Sequence, residues 1–161
     1  MRLLKTTRSV ACLLVPLAVL LMLGPVGGAT AQDDEEKPYT VNEDGVVDWY
    51  TFSGFRRYHA DCHVCHGPDG LGSSFAPALV ESLKTMSYED YFDVVVNGRT
   101  NVSTTDQNQM PAFAENPNVM CFIDDIYAYL MARADDVVGR GRPKKEAKPD
   151  EARERDEACL G

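Results

Sequence analysis

The sequence predicts an all-α fold, one small helical domain. Three observations carry this. Apolar residues recur at three- and four-residue spacing in three segments, near residues 46–60, 87–97 and 118–134. No alternating strand pattern and no internal repeat accompanies them. The first segment runs straight into Cys62-His63-Val64-Cys65-His66, a fixed point around which the helices can pack.

The first thirty-one residues read as a secretory leader. Arg2, Lys5 and Arg8 form a positive start, Val10 to Leu23 is an uncharged apolar run, and Ala29-Thr30-Ala31 is a small-x-small cleavage site. The run is shorter than the roughly 20 residues a membrane span needs. The expected mature chain starts at Gln32 in an oxidising, periplasmic compartment, and Cys12 leaves with the leader. Residues 32–45, with the acidic run Asp33 to Glu36, read as a flexible N-terminus. Residues 46–135 are the expected folded domain. Residues 136–161 are an expected charged tail, exposed from Gly139 to Ala158 and helical only in part.

The first helix is expected over Val46 to Ala60. Val47, Tyr50, Gly54, Phe55 and Tyr58 fall mainly on one stripe. Glycine weakens a helix interior. At Gly54 it makes sense where another helix crosses closely. The motif that follows is the attachment pattern of c-type haem. Each cysteine can bond one vinyl group of a rigid ring, and His66 then reaches the iron. Three other chemistries fit a Cys-x-x-Cys pair. A thioredoxin-like redox pair needs a strand before it and a helix after it, whereas here a helical pattern precedes and Gly67-Pro68-Asp69-Gly70 follows. Zinc needs about four ligands, and all three histidines lie within residues 59–66 with no second pair. A disulfide inside the motif is the third.

The second helix is expected from Ser87, where Ser87-x-x-Asp90 resembles a capping box, to Asn97-Gly98, a helix stop. Tyr88, Tyr91, Phe92, Val94 and Val95 form its expected buried side. Met110 follows in Gln107-Asn108-Gln109-Met110-Pro111-Ala112-Phe113, read as a loop. Pro111 biases Met110 toward extended backbone. An extended loop can lay a thioether across the open haem face, so Met110 is the candidate sixth ligand. Met86, Met120 and Met131 are the other methionines of the mature chain, each with a structural role available. The third helix is expected from Asn118 to Ala134. Ile123, Ile126, Tyr127, Leu130 and Met131 face the core, and Asp124 and Asp125 face outward.

Without Cys12, four cysteines remain. Cys121 and Cys159 are the even remainder outside the motif. In an oxidising compartment such a pair reads as a disulfide, with two free thiols or an intermolecular bond as the alternatives. The intramolecular bond would close a loop of about 38 residues and contribute a few kcal/mol. The formal charge is −9, and −12 once the leader's three basic residues are gone. Residues 140–157 hold seven basic and six acidic side chains, so the acidity sits in residues 32–138, at −13. Such a body repels nucleic acid and anionic membranes and favours a basic partner face.

Residues 46–135 resemble a class I cytochrome c. Gly54 and Tyr58 stand eight and four residues before Cys62, as that family's helix-crossing glycine and aromatic do. Ile126-Tyr127-Ala128-Tyr129-Leu130 resembles its last helix. Pro77, in Ala76-Pro77-Ala78-Leu79, resembles the proline whose carbonyl accepts the proximal histidine's Nδ1 proton. A narrower resemblance covers Asn97-Gly98-Arg99-Thr100-Asn101-Val102, Met110-Pro111-Ala112-Phe113, Asn116-Pro117-Asn118-Val119-Met120-Cys121 and Gly139-Arg140-Gly141-Arg142-Pro143. These are similar to the four-cysteine c-type cytochromes of methanol metabolism, whose two extra cysteines match Cys121 and Cys159.

The resemblance implies a class I cytochrome c fold around one covalent haem c. It implies Cys62 and Cys65 as thioether anchors, His66 and Met110 as axial ligands, and no catalytic residue. It also implies a periplasmic monomer that accepts single electrons from a pyrroloquinoline-quinone alcohol dehydrogenase, methanol dehydrogenases included, and passes them to another cytochrome c or an oxidase. Three alternatives differ in function. They are a general shuttle to an oxidase, a haem peroxidase or gas sensor with an open sixth position, and an interaction subunit with a structural haem.

Overall fold

The chain enters its folded part through a short strand, β1 (Val46–Val47), and turns at Asp48 into α1 (Trp49–Asp61). Asp48 is the reason α1 starts three residues later than the apolar pattern predicts. Its carboxylate accepts from the Thr51 amide at 2.8 Å and the Thr51 hydroxyl at 2.7 Å, so it caps the helix and leaves the valines extended. The computed structural model describes the backbone of residues 36–102 and 107–161. The predicted leader, its Ala31 cleavage site and Cys12 lie outside the described residues, as does the acidic run up to Glu35.

After α1 come one turn of helix, α2 (His63–His66), and a 3-10 turn (Pro68–Gly70). The chain continues through α3 (Leu79–Ser82), α4 (Tyr88–Asn97), β2 (Arg99–Val102), β3 (Gln107–Met110), α5 (Pro117–Met120), α6 (Ile123–Ala134), β4 (Lys144–Lys145) and α7 (Asp150–Leu160). Among the described residues no helix is long and apolar enough to cross a membrane.

The core forms where α1 crosses α6. Phe52, Tyr58, Ile126, Tyr129 and Leu130 are all buried there. Gly54 stands at the crossing, and a Cβ on it would lie 1.8 Å from the Asp125 carbonyl oxygen. The buried face of α1 is turned slightly from the predicted stripe: Trp49 and Phe52 are inside, whereas Tyr50 is exposed. On α6, Tyr127 and Met131 are only half-buried, while Ala128, Tyr129, Ala132 and Arg133 are buried. A helix covered on more than one side hides more than a single stripe.

The predicted second helix is α4, capped by Ser87, which accepts from the Asp90 amide at 3.1 Å, and closed at Gly98. Only Tyr91 and Val95 of its expected inner side are buried. Tyr88 and Phe92 are exposed and Val94 is half-buried, because α4 touches the core along a narrow edge, where the Tyr91 hydroxyl donates to the Ile123 carbonyl at 3.1 Å.

Further expectations change. The segment holding Met110 is not a loop but the second strand of an antiparallel hairpin, with Arg99 opposite Met110 and Val102 opposite Gln107. Pro111, lacking an N–H, follows the last paired residue. The third helix is two helices. α5 starts with Asn116 as cap and Pro117 in its first turn, and the chain breaks at Cys121–Phe122 before α6. Asp125 does not face outward. It is 3 % exposed and held bidentately by Arg155 of α7 at 2.9 and 2.7 Å. Burial raises its pKa, against the opposing pull of Arg155 and Ser53.

Arg155 belongs to the segment expected to be an exposed tail. That segment is instead a folded arm. β4 pairs parallel to β1, Arg142 lies over the Phe52 ring at 5.1 Å, and Lys145 lies over Trp49 at 4.8 Å. Val138 and Ala152 are buried. The arm ends in a disulfide between Cys159 and Cys121, a separation of 38 residues. A loop of that length corresponds to about 4 kcal/mol of chain-entropy stabilisation. Cys159→Ser is therefore expected to leave the far-ultraviolet circular dichroism nearly unchanged while α7 becomes cleavable by trypsin. Loss of the helical signal as a whole contradicts a bond that only fastens the arm.

Candidate functional site

The two motif cysteines sit on one helical turn because α1 runs almost unbroken into α2. The Cys62 amide donates to the Tyr58 carbonyl at 2.9 Å, and the Cys65 and His66 amides donate to the Cys62 carbonyl at 3.2 and 3.0 Å. Residues three apart share a helix face, so both thiols serve one side. Both are free: Cys62 is half-buried and Cys65 exposed. No disulfide closes the motif. Burial, with smaller contributions from Asp61 and Cys65, pushes the Cys62 thiol up to about 12. A redox-active Cys-x-x-Cys pair needs the opposite shift. Among the described residues no three His, Cys, Asp or Glu side chains converge as metal ligands, so the zinc reading finds no site.

His66 is buried, and its Nδ1 lies 3.0 Å from the Pro77 carbonyl oxygen. A carbonyl only accepts, so Nδ1 carries the ring proton and Nε2 keeps a lone pair for a metal. A tight loop makes this contact. The Gly72 amide donates to the His66 carbonyl at 2.8 Å. A Cβ on Gly67, at φ 72°, would lie 2.1 Å from the Gly72 oxygen, so the loop closes only without a side chain there. The Tyr58 hydroxyl, fully buried, donates to the Gly67 carbonyl at 2.6 Å and accepts from the Gly70 amide at 3.0 Å. Ser73 donates to the Cys65 carbonyl.

Met110 is half-buried at the end of β3 and packs against the core. Met86, Met120 and Met131 are half-buried too, so burial does not separate the four. Position does: Met86 leads into α4, Met120 and Met131 lie in α5 and α6, and Met110 alone ends a strand. Within the motif Val64 is 79 % exposed, and in the loop that follows it Phe75 is 71 % exposed, with Leu71 also exposed. Two unbonded thiols on one face, a histidine with a free Nε2 and uncovered apolar side chains in the motif and its loop fit a large planar apolar group with a metal at its centre.

Sequence reasoning missed two contributors. Asp69 is buried beneath the loop, and its only signal was a place in Gly67-Pro68-Asp69-Gly70. Arg155 was one charge among thirteen in residues 140–157.

Comparison with known proteins gives three kinds of match. A family model described as cytochrome c oxidase, cbb3-type, subunit III matches residues 52–130. Cytochrome c-553I of Paracoccus denitrificans is 53% identical over 123 residues, 76% of this chain and 54% of that protein. The chain thus spans about half the length of that relative. Cytochrome c-555 of Methylococcus capsulatus is 39% identical over 100 residues, 62% of this chain and 75% of that one. The crystal structure of the c-type cytochrome XoxG from Methylobacterium extorquens AM1 superposes with a TM-score of 0.63 at 45% identity, covering 78% of this chain and 84% of that one.

Proposed function

This chain belongs to the class I c-type cytochromes, and we propose that it is a periplasmic carrier of single electrons, reduced by a pyrroloquinoline-quinone alcohol dehydrogenase, methanol being the substrate class. The observation that carries this reading is the set of Cys62, Cys65 and His66 on one helical turn, with Nδ1 of His66 already committed to Pro77. The family implies haem c. One such group, bound through both thiols, supplies an iron that cycles between two oxidation states.

The chain's own residues then have separate duties. Cys62 and Cys65 anchor the ring through thioether bonds. His66 offers Nε2 as proximal ligand, and the Pro77 carbonyl orients its ring and raises its basicity. Met110 would offer its thioether as the second protein ligand to the metal. A thioether favours the reduced metal and so raises the potential. With His66 and Met110 both holding the metal, no substrate site would remain there, and no side chain would be needed for acid–base work. The bound group would supply one-electron transfer to a second cytochrome c or an oxidase, with Val64 and Phe75 as exposed apolar side chains of the motif region.

The dehydrogenase assignment is supported by the four-cysteine motif pattern described above. Stopped-flow mixing of the oxidised, haem-loaded protein with a quinoprotein methanol dehydrogenase from the same cell tests it. Fast, saturable, alcohol-dependent haem reduction is the expected result. Absent reduction with an intact His/Met spectrum moves the function to a general oxidase shuttle. The exposed carboxylates Glu89, Asp90 and Asp93 on α4 and Asp124 on α6 belong to the acidic body. Reduction by a basic partner is therefore expected to slow as ionic strength rises, because the Debye length falls from about 10 Å at 0.1 M toward about 3 Å at 1 M. A salt-independent rate removes charge steering.

A further inference from the structure

Asp69 lies three residues after His66 and has left-handed backbone, φ 59°, although it is not glycine. Such a conformation costs free energy and persists where surroundings impose it. Here three elements do. The arm supplies the Gly141 amide at 3.0 Å and Arg140 Nε at 3.4 Å to the carboxylate. α6 supplies the Tyr129 hydroxyl at 3.4 Å, and Arg133 Nε donates to the Asp69 backbone carbonyl at 3.3 Å. From α1, His59 Nε2 stands 3.6 Å from the carboxylate. The side chain is buried. Burial alone would raise its pKa, but the Gly141 amide, Arg140, Arg133 and His59 outweigh burial and lower it, so the group is a buried carboxylate at neutral pH.

The same short loop is held from its other side. Tyr58 pins Gly67 and Gly70, which bracket Asp69, and the Gly72 amide returns to the His66 carbonyl. The arc from Gly67 to Gly72 therefore has little freedom, and this arc separates His66 from the segment that presents the Pro77 carbonyl.

We propose that Asp69 is a positioning residue for His66: by clamping the 67–72 loop between α1, α6 and the C-terminal arm, it holds the His66–Pro77 hydrogen bond in place and lowers the reduction potential of the bound haem. The proposal rests on the haem reading above. The effect has one cause: a well-aligned Nδ1–H···O bond makes the imidazole a stronger donor to the oxidised metal. The arm, which the carrier function leaves without a task, acquires one as the far jaw of this clamp.

The test uses the mature, haem-loaded protein with Asp69→Gly, which accepts the backbone conformation and removes the carboxylate, and Asp69→Asn, which keeps an oxygen for the Gly141 amide and removes the charge. Two quantities are read: the midpoint potential and the hydrogen-exchange rate of the His66 ring N–H by NMR. In Asp69→Gly the ferrous form is expected to gain at least threefold at fixed ambient potential, about 28 mV at 59 mV per decade, with faster ring N–H exchange. Asp69→Asn should fall between this variant and wild type. Wild-type potential and exchange in Asp69→Gly, with only the arm more easily proteolysed, overturns the proposal and leaves Asp69 a latch. If Asp69→Gly does not mature, Asp69→Asn decides alone: a rise in both quantities supports the clamp and wild-type values in both overturn it. Intact mass separates this outcome from failure of the haem reading, since wild-type protein without a haem bonded at Cys62 and Cys65 removes that reading whatever the variants do.

Discussion

Gly54→Ala is expected to destabilise the protein by about 3 kcal/mol or more, against its local preference. In an exposed helix the same change stabilises by about 1 kcal/mol. Here the added Cβ would stand 1.8 Å from the Asp125 carbonyl oxygen, 2.4 Å from its carbon and 2.9 Å from the Ile126 nitrogen. All three are backbone atoms of α6, so no side chain can rotate aside. The helices must separate, and the contacts of Phe52, Tyr58, Ile126 and Tyr129 loosen with them. Overpacking costs about 1–3 kcal/mol when side chains alone adjust, and more is expected when two backbones move. Against a total stability of roughly 5–15 kcal/mol this is a large fraction. Urea unfolding of the haem-loaded protein measures it. A midpoint at or above wild type shows that α1 and α6 do not meet at Gly54.

Met110→Ala is expected to lower the reduction potential strongly, by at least about 59 mV, a tenfold shift toward the ferric form, and to open the sixth position. Covalent attachment at Cys62 and Cys65 should survive. The cause is electronic: the thioether stabilises the ferrous state, and water or no ligand does not. Carbon monoxide binding to the reduced variant, slow or absent in wild type, is the second reading. If Met131→Ala produces these changes and Met110→Ala does not, the ligand lies on α6 and the hairpin has another role. Rapid carbon monoxide binding by the wild type points instead to an open-site haem protein.

The parts legible in the sequence are those with local causes. Ser87 and Gly98 bound α4 because a hydroxyl cap and a left-handed stop act within one turn. Gly54 signalled a crossing because glycine in an apolar helical stripe has few other reasons to be there. The β2–β3 hairpin was not legible. Arg-Thr-Asn-Val and Gln-Asn-Gln-Met carry no apolar alternation, so neither strand announces a buried face. The break between α5 and α6 was hidden because Val119, Ile123 and Ile126 continue a helical spacing across it. Around the motif, the His66–Pro77 contact entered the reading only through a family resemblance, since ten residues stand between the two.

The sequence by itself determined the helical class and the cysteine–histidine motif at the end of α1, because both are written in neighbouring residues. Tertiary structure decided the rest. Whether Asp125 faces water depended on an arginine 30 residues away. Whether the charged segment after Gly139 was a tail or an arm depended on Trp49, Phe52 and Asp69 offering it rings and a carboxylate. A charged side chain looks the same in sequence whether solvated or paired, and its energy differs only once the fold removes the water.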